Sequence, residues 1–514
     1  MIVTEARPGR GEGSHAEPLP HAELLPGAGL AALSALAIVA AAALLRQAAA
    51  PHATYIAGLA VDRLGAALCL LVGVVGAVTY RFSMRYLAGH PGRWRFLAWL
   101  SATVCAAALL MLADNLPMLW AAWFFTSLGL HRLLTSYADR PEALPPARKK
   151  FLISRLGDVA LVAAIVLIAL RWHTSSLHVF LPQATASGDA AAGAVAVLVA
   201  LAALTKSAQF PFHSWLPETM EAPTPVSALM HAGVINAGGV LLLRFAPLVG
   251  ASPAALALLT LVGTLTACLG MLATWAQVKV KRTLARSTVA QMGFMMVQCG
   301  LGVFPAAALH MVGHGLYKAS KFLRAGDLPS PAPTPPAPRA SATTNLALLA
   351  LGAVAATAAL AFASICTGFD PRHAPGELAL TAILALALAQ IWVALLSGSS
   401  GSRTARGLLA LALTFAAAVG AFALYRGASA FLEPVIGHNI AWRGYWAWAV
   451  AAVPVLAFAA MAVLHACLPA LAAKPSGRAL YVHALLGFYF GTLADRCVAR
   501  IWPTTPYPKE LIHA

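Results

Sequence analysis

Charged side chains are scarce in this chain. Only 10% of its 514 residues are Asp, Glu, Lys or Arg, whereas 60% are hydrophobic. Soluble globular domains carry about 25% charged residues, so that class is excluded. Acidic residues are the scarcest, at 18 against 35 basic residues, and the formal net charge is +17. Because the basic residues lie in short segments between apolar runs, we expect them to face anionic membrane lipid rather than nucleic acid.

Cysteine is infrequent, and no two cysteines form a motif that carries chemistry. The seven cysteines are scattered without a CxxC pair, which argues against a disulfide framework, a haem site or an iron–sulfur cluster. The sequence also lacks an HExxH motif, so we predict no metal site. We therefore expect this chain to hold no cofactor of its own.

Long apolar runs are the dominant feature of the sequence. Runs of about 18 or more apolar residues recur along the chain, and each could cross a bilayer core of roughly 30 Å. They predict an all-α polytopic membrane protein with about fourteen transmembrane helices. The predicted spans lie near residues 27–47, 56–80, 96–113, 116–136, 151–171, 190–210, 225–249, 255–278, 286–304, 306–323, 344–366, 377–398, 407–425 and 443–471.

Basic residues are concentrated in the connections that follow even-numbered spans. They are Arg81, Arg85, Arg93, Arg95, Arg140, Arg148, Lys149, Lys150, Lys279, Lys281, Arg282, Arg286, Lys321, Arg324, Arg339, Arg403 and Arg406. These connections all fall on one side of the membrane, and the positive-inside rule makes that side the cytoplasm. An even span count then places both termini in the cytoplasm as well.

Composition divides the chain into five segments. Residues 1–24 lack the basic n-region of a signal peptide and are predicted to be a disordered cytoplasmic tail. Residues 25–325 form a membrane core that holds most intramembrane charges. A proline-rich cytoplasmic linker, residues 326–343, leads into the remaining spans, residues 344–471. Residues 472–514 mix apolar and charged side chains, which fits an interfacial helix or a docking surface for a partner subunit.

The segment TKSAQFPFHSWLPETMEAPTPVSALMHAG, residues 205–233, interrupts an apolar helix beside a lysine. Lys206 stands five residues before the helix breaker Pro211. An ammonium group is expensive inside a membrane, and interrupted helices there line hydrated cavities. A lysine that snorkels to the surface is the structural alternative. Because a polar segment continues after the break, we predict that Lys206 is buried at the centre of a proton or cation path.

Histidines follow in two places. His231 lies in the apolar helix after the break, where it is either a satisfied polar residue or a proton relay. In LHMVGHGLYKASKFL, the residues His310, His314 and Lys318 fall at i, i+4 and i+8 and share one helix face, with Lys321 just beyond. Since no third metal ligand accompanies the two histidines, we interpret the set as a proton-exchanging file.

Arg155 and Asp158 open the fifth predicted span. Their spacing of three residues lets them pair with each other on one helix. Alternatively, Asp158 acts on Lys206 across the bundle. The sequence leaves both interpretations open.

These motifs resemble the antiporter-like membrane subunits of respiratory complex I and of multisubunit cation/proton antiporters. The resemblance rests on residues 205–233, on KRTLARSTVAQMGFM, HMVGHGLYKASKFL and SRLGD, and it covers roughly residues 55–325. It implies two inverted five-helix repeats, each with a broken helix and a buried charge. It also implies roles for six residues. Lys206 would be the central proton-transferring lysine, His231 the neighbouring histidine and Asp158 the acidic position. His310, His314 and Lys318 would form the histidine–lysine file.

The chain departs from complex I subunits at two expected charges. Those subunits have a glutamate in a WEGVGL-like motif, where the stretch WFFTSLGLHRLL has Thr126 or a neighbour and no acid. Their second broken helix carries a lysine, whereas SICTGFDP, residues 364–371, offers only Asp370. We also expect no long lateral helix of the complex I kind after the last span.

At these departures, and in the segment YVHALLGFYFGTLADRCVARIWP, the chain resembles the DabB subunits, which are membrane partners of cytoplasmic zinc-binding DabA proteins. That resemblance implies a subunit of the bacterial inner membrane that passes protons or Na+ down their gradient. The energy would drive CO2 hydration by a carbonic-anhydrase-like partner that contains zinc, so this chain would be a transporter subunit rather than an enzyme. The alternatives are a proton-pumping subunit of an NADH–quinone oxidoreductase, an Mrp-type Na+/H+ antiporter subunit and a structural scaffold.

Overall fold

A computed structural model describes residues 21–50, 52–136, 143–325, 340–398, 402–437 and 444–502. The predicted tail up to residue 20, most of the predicted linker (residues 326–339) and residues 503–514 lie outside these ranges.

Helices make up most of the described structure. The first part of the chain forms α1 (His21–Ala49), β1 (Thr54–Ile56), β2 (Leu59–Val61), α2 (Arg63–Tyr86), α3 (Arg93–Leu112), α4 (Leu116–Leu134), α5 (Leu144–Trp172), α6 (Leu177–Ser187), α7 (Ala190–Lys206), α8 (Trp215–Glu218), α9 (Thr224–Ala232), α10 (Ala237–Arg244) and α11 (Ala246–Gly250). The second part forms α12 (Pro253–Trp275), α13 (Val280–Gly300), α14 (Phe304–Arg324), α15 (Ala342–Thr367), α16 (Pro375–Leu396), α17 (Arg403–Ile436), α18 (Tyr445–Leu471), α19 (Pro475–Leu485) and α20 (Phe490–Ile501). Short 3-10 turns cover Thr219–Glu221, Val234–Asn236, Pro371–His373 and Gly487–Tyr489.

Ten membrane-crossing segments are long and apolar enough within the described ranges. They are α1 from Pro26 onward, α2, α3, α5, α9 together with α10, α12, and α15 to α18. The other four predicted spans coincide with α4, α7, α13 and α14, which are shorter or more polar. The all-α polytopic class is therefore confirmed, but the count of fourteen spans is not.

Two helices begin at positions that differ from the predicted ones. α1 already begins at His21, inside the segment predicted as a tail. The second span begins later than predicted, because residues 54–61 pair as the antiparallel hairpin β1–β2. Asp62 then starts α2 by accepting a hydrogen bond from the backbone N–H of Gly65 at 2.7 Å, as an N-cap residue does.

Two interruptions lie between α7 and α10. α7 stops at Lys206, Ala208 has a positive φ of 50°, and a helix resumes only at Trp215. The second interruption separates α9 from α10 at Val234–Asn236, where the side-chain amide of Asn236 donates to the carbonyl of Ala232 at 2.9 Å. Side chains and carbonyls therefore satisfy backbone groups that a continuous helix would have paired.

The largest buried apolar cluster joins α1 to α14, whereas α15 to α18 contribute mainly to four smaller clusters. α17 links the two parts: Leu432 and Ile436 belong to the large cluster. Arg63, the first residue of α2, also donates to the carbonyl of Phe431 at 2.9 Å. The charge-bearing helices thus share one core, and α17 holds the later helices against it.

The bundle has two ends that are useful for orientation. The hairpin end contains β1, β2 and the connections 113–115 and 173–176, because isolated bridges join Leu59 to Ala113 and Asn115 to Ser176. The basic end is the opposite one, where α2, α4 and α12 end and α3, α5 and α13 begin. The helix ends there carry Arg85, Arg93, Arg95, Lys149, Lys150, Lys281 and Arg282. α4 therefore runs from the hairpin end to the basic end, and residues 123–127 lie in its middle.

Candidate ion-conducting site

Lys206 ends α7 with its side chain in the middle of the bundle. It is 5% exposed, and its Nζ donates to the carbonyl of Trp123 at 2.8 Å, to Oγ1 of Thr126 at 3.2 Å and to Oγ of Ser127 at 2.6 Å. The same Nζ lies 4.4 Å from the centroid of the Trp123 ring. The three donor positions of the amine are thus matched by one carbonyl and two hydroxyl groups of α4, none of them charged.

A second lysine reaches the same turn of α4. Lys150 is 2% exposed, and its Nζ donates to the backbone carbonyl of Ser127 at 2.7 Å. Lys206 binds the hydroxyl of this serine and Lys150 binds its carbonyl. The sequence had indicated Lys150 only as one of several basic residues in a connection, because three basic residues in a row are typical of a cytoplasmic loop.

Asp158 contacts Lys206 only indirectly. Its Oδ2 lies 2.9 Å from Nη2 of Arg155, and its Oδ1 accepts a hydrogen bond from Nε1 of Trp123 at 2.9 Å. Arg155 also lies over the ring of Phe124, with Cζ 4.5 Å from the centroid. The pairing of Arg155 with Asp158 is therefore the arrangement observed. Trp123 connects the two sites, since its indole binds Asp158 and its carbonyl binds Lys206.

The interrupted pair α9–α10 lies between the lysines and the histidines. A Cβ added to Gly238 would come within 2.5 Å of the Ala203 carbonyl, so α10 packs closely on the end of α7. A Cβ added to Gly315 would come within 2.9 Å of the Ala232 carbonyl, so α14 packs equally closely on α9. Small residues at these contacts let α7 and α14, which carry polar groups, approach the pair α9–α10 closely.

His310, His314 and Lys318 follow one face of α14, as the spacing predicted. The rings of His310 and His314 are 5.8 Å apart, and Nδ1 of His310 lies 2.8 Å from Oε1 of Gln298. At the other end of the file, Nζ of Lys318 donates to the carbonyl of Leu284 at 2.9 Å and to Oγ of Ser287 at 2.5 Å. The file runs from near the hairpin end towards the basic end.

His231 joins this file from α9. Its Nδ1 lies 3.0 Å from Oγ1 of Thr288, the residue next to the Ser287 that binds Lys318. Its ring stacks on Phe322 with centroids 4.4 Å apart. His231 therefore links the interrupted helix to α13 and α14.

The three histidines each keep one buried nitrogen without a hydrogen-bond partner in the described part of the chain. These atoms are Nε2 of His231, His310 and His314. Buried polar atoms are normally paired, and where no protein group serves, an ordered water usually does. The arrangement suits exchange of protons through water between successive imidazoles.

Two secondary candidates lie apart from this site. Lys321 is exposed and lies over the ring of Tyr317, with Nζ 5.5 Å from the centroid. Asp370 lies in the connection between α15 and α16, where it pairs with Arg372 at 2.8 Å and with His373 at 3.4 Å. The hydrogen bonds from Arg372 hold the pKa of Asp370 below its ordinary value. α15 is unbroken up to Thr367, so SICTGFDP forms a helix end and a turn. Asp370 does not belong to a broken helix.

An ion cluster that the sequence did not reveal closes the basic end. Nζ of Lys149 lies 2.5 Å from Oε2 of Glu218 and 2.5 Å from Oδ1 of Asp495, and the lysine side chain is fully buried. Phe490 packs edge-on against Phe210, with centroids 4.3 Å apart. The segment α19–α20 therefore covers the polar turn that follows Lys206.

Within the described ranges, no group of three or more His, Cys, Asp and Glu side chains is placed to hold a metal ion. The chemistry of the site is that of amines, imidazoles and hydroxyl groups.

Buried amines and imidazoles beside interrupted membrane helices define an antiporter-like membrane protein. A family model described as NADH:quinone oxidoreductase/Mrp antiporter, transmembrane, matches residues 113–398, which is more than half of the chain. The chain belongs to this family. The match begins at the connection before α4 and ends after α16, so it includes both lysines, the histidine file and the interrupted helices.

Curated relatives include inorganic carbon transporter subunits, which confirms the resemblance to DabB. The probable inorganic carbon transporter subunit DabB2 of Halothiobacillus neapolitanus is 45% identical over 273 residues, 52% of this chain and 49% of that protein. The probable subunit DabB of Hydrogenovibrio crunogenus is 41% identical over 272 residues, 52% of each protein. NADH-quinone oxidoreductase subunit L of Mycobacterium tuberculosis is 35% identical over 272 residues, 52% of this chain and 43% of that protein. The chain thus spans about half the length of the curated relatives it matches.

Solved structures share the fold over nearly the whole chain. The Mrp complex from Dietzia sp. DQ12-45-1b matches with a TM-score of 0.51 and 25% identity, covering 95% of this chain and 58% of that chain. The membrane-bound sulfane sulfur reductase, an archaeal respiratory membrane complex, matches with a TM-score of 0.54 and 17% identity, covering 92% and 94%. At this identity the second similarity concerns the fold alone.

Proposed function

We propose that this chain is the membrane subunit of an energy-coupled inorganic carbon (CO2/bicarbonate) transporter. Protons or Na+ move through it down their gradient, and the energy drives a partner subunit on the cytoplasmic side. The partner is a DabA-like, zinc-binding, carbonic-anhydrase-like protein, so the catalytic metal belongs to the partner. This chain is a transporter subunit and not itself an enzyme.

The observation that carries the proposal is the environment of Lys206. Its amine is buried in the middle of the bundle, and its hydrogen-bond acceptors among the described residues are one carbonyl and two hydroxyl groups. Lysine, unlike arginine, can give up its proton when it is buried. Because neutral acceptors do not hold the proton as a carboxylate would, the amine is suited to passing it on.

The path has two parts in this proposal. On the side of the basic end, Lys150 and Lys206 meet at Ser127. Beyond the interrupted pair α9–α10, inward-moving charge passes from the hairpin end along His310, His314, Lys318 and His231. Asp158 keeps Arg155 neutralised and holds the indole of Trp123, so it positions the lysine site without touching Lys206.

Orientation follows from the basic connections. The helix ends that flank the connections after α2, α4 and α12 carry clusters of arginine and lysine, which places the basic end in the cytoplasm by the positive-inside rule. Both termini then lie in the cytoplasm of a bacterium, and the protein spans its inner membrane. The cytoplasmic partner would bind at the basic end, where α19 and α20 lie.

Two observations favour this function over a subunit of a respiratory complex. The relatives named as inorganic carbon transporter subunits are 45% and 41% identical, against 35% for the NADH-quinone oxidoreductase subunit. In addition, α4 contains no acidic residue, although complex I subunits have a glutamate in the corresponding motif. Lys206 accordingly has Thr126 and Ser127 as partners.

A second candidate function is ion transport in an NADH–quinone oxidoreductase or an Mrp-type Na+/H+ antiporter. The family description and the 35% identical subunit L favour it. Growth separates the candidates: loss of a carbon transporter is corrected by elevated CO2, whereas loss of a respiratory or antiporter subunit is not.

The test is replacement of Lys206 in cells that also produce the partner. We expect Lys206→Ala to abolish growth at ambient CO2, to leave growth at elevated CO2 unchanged and to leave respiration intact. Lys206→Arg should fail equally, because arginine keeps a positive charge but does not release its proton. Lys279→Ala is the matched control, since Lys279 is exposed at the start of α13; it should grow as the parent does.

Normal growth of Lys206→Ala at ambient CO2, with the protein present in the membrane, would refute the proposed path. Uptake of labelled bicarbonate after separate collapse of the proton and sodium gradients identifies the ion. Loss of uptake with only one of the two assigns the coupling to that ion.

A further inference from the structure

A cavity of about 450 Å3 lies among α13, α14, α16 and α17. Most of its wall is apolar, but six polar side chains line it: Gln291, Gln298, His310, Glu377, Thr381 and Tyr425. A mainly apolar pocket in which a few polar groups converge is the usual form of a functional site. The cavity contains the outermost histidine of the file, His310, and a carboxyl group, Glu377, that the sequence analysis did not single out.

Glu377 lies at the hairpin end of this cavity. It stands in the first turn of α16, beside Gly376, whose Cα is so close to the carbonyl of Leu301 that a Cβ would collide with it. Leu301 belongs to the connection between α13 and α14, and His310 lies about two turns further along α14. The cavity therefore extends from within the bundle to the end opposite the basic connections.

The groups at both ends of the cavity are held in place. The hydroxyl of Tyr425, on α17, donates to Oε1 of Glu377 at 2.8 Å. Nδ1 of His310 is fixed by Gln298 at 2.8 Å, while its Nε2 is buried without a hydrogen-bond partner among the described residues. An imidazole nitrogen of this kind can accept a proton from water in the cavity.

We propose that Glu377 is the outer proton-exchanging carboxyl group of the path, the position at which the sequence offered only Asp370. This inference rests on the proposed function. The carboxylic acid of Glu377 releases its proton through water to an imidazole nitrogen of His310 and becomes a carboxylate. The carboxylate then takes a proton from the extracytoplasmic side, while His310 passes its own proton to His314. Each cycle moves one proton inward and restores both groups.

Glu377→Gln tests this assignment with little change of shape. Glutamine keeps an oxygen that can accept the hydrogen bond of Tyr425, but it cannot bind and release a proton. We expect uptake of labelled bicarbonate, in cells producing the partner, to fall at least tenfold, and Glu377→Asp to retain part of it. Asp370→Asn is the matched control, because it removes an acid from the connection just before α16, outside the cavity; its uptake should stay within twofold of the parent.

The outcomes separate this inference from the proposed function. If Lys206→Ala abolishes uptake while Glu377→Gln transports within twofold of the parent, the role of Glu377 is refuted and the proposed function stands. If Lys206→Ala also transports normally, the proposed function fails and this inference fails with it.

Chemical labelling of the parent chain gives a readout that does not depend on uptake. Dicyclohexylcarbodiimide is an apolar reagent that modifies carboxyl groups it can reach in apolar surroundings. Mass spectrometry of treated membranes should therefore find the adduct on Glu377, which lines a mainly apolar cavity. Asp370, which is ion-paired with Arg372 in a connection, should stay unmodified. Modification of Asp370 without modification of Glu377 would overturn the assignment, even if Glu377→Gln proved too unstable to assay.

Discussion

Ser127 is the residue at which the side chains of Lys150 and Lys206 meet. Its hydroxyl accepts from Lys206 at 2.6 Å and its backbone carbonyl accepts from Lys150 at 2.7 Å. Two ammonium groups this close repel each other, and the low dielectric of the interior strengthens the repulsion. A serine hydroxyl can both donate and accept a hydrogen bond, so it can serve either amine as the charge moves.

Removing this hydroxyl should slow transport while leaving the lysines in place. Ser127→Ala deletes one of the three acceptors of Lys206 but keeps the carbonyl that binds Lys150. A hydrogen bond to a charged group is worth about 1.5–3 kcal/mol, so we expect bicarbonate uptake to fall roughly tenfold or more. Ser154→Ala is the matched control, because that buried hydroxyl binds only the Lys150 carbonyl of its own helix. Equal uptake by the two variants would contradict a role for Ser127.

Single residues differ in how far the sequence alone could predict their place. Lys206 was predictable because a lysine in an apolar run has few explanations. Its partners Thr126 and Ser127 were not, since hydroxyl residues are common in membrane helices and these belong to another helix. Glu377 was missed because an acid in the first turn of a helix is usually explained by its favourable interaction with the helix dipole. Asp370 was proposed from its position, although Arg372, two residues later, pairs with it.

At the scale of elements, the pair α9–α10 lies between Lys206 on α7 and the histidine–lysine file on α14. Beside its interruption, Asn236 and His231 form hydrogen bonds in the interior of the bundle. Its two halves pack on α7 and α14. The motif around residues 205–233 predicted the first interruption, because Pro211 cannot continue a helix. The second, at Val234–Asn236, has no proline and depends on packing against neighbouring helices, which a single sequence does not reveal.

The close approach of α10 to α7 should not tolerate a methyl group. A Cβ at Gly238 would lie 2.4 Å from Oγ of Ser207 and 2.5 Å from the carbonyl of Ala203. A backbone carbonyl cannot move away without shifting its helix, so we expect Gly238→Ala to destabilise the protein by about 1–3 kcal/mol. Thermal unfolding of the purified protein in detergent measures this as a lower midpoint.

Gly193, in α7, provides the matched control. A Cβ there would meet nothing within 4 Å, and alanine favours a helix over glycine by about 0.5–1 kcal/mol. Gly193→Ala should therefore unfold at the same temperature as the parent or slightly above it. A midpoint for Gly238→Ala that matched this control would show that α7 and α10 are packed less closely than described.

At the scale of the whole molecule, the segment α19–α20 covers the basic end of the core. Phe490 packs on Phe210, Asp495 pairs with Lys149, and the side chain of Gln277 donates to the carbonyl of Leu485 at 3.3 Å. The mixed composition of residues 472–514 predicted a surface helix or a docking surface, but it could not predict which core residues the segment binds. One face is now placed against α5 and the polar turn, while apolar side chains such as Leu493 and Ile501 stay exposed.

The ion pair between Asp495 and Lys149 should hold this segment closed over the core. Asp495→Ala removes one of the two carboxylates of a fully buried lysine and leaves Glu218 as its partner. A half-exposed ion pair contributes up to about 1 kcal/mol, so we expect amide hydrogen exchange across α20 to accelerate by up to roughly fivefold. Arg496→Ala, on the same helix but exposed, should leave exchange unchanged. If both variants exchange as the parent does, contacts other than the Asp495 ion pair hold the segment, and a partner that binds it could not open it by competing for Asp495.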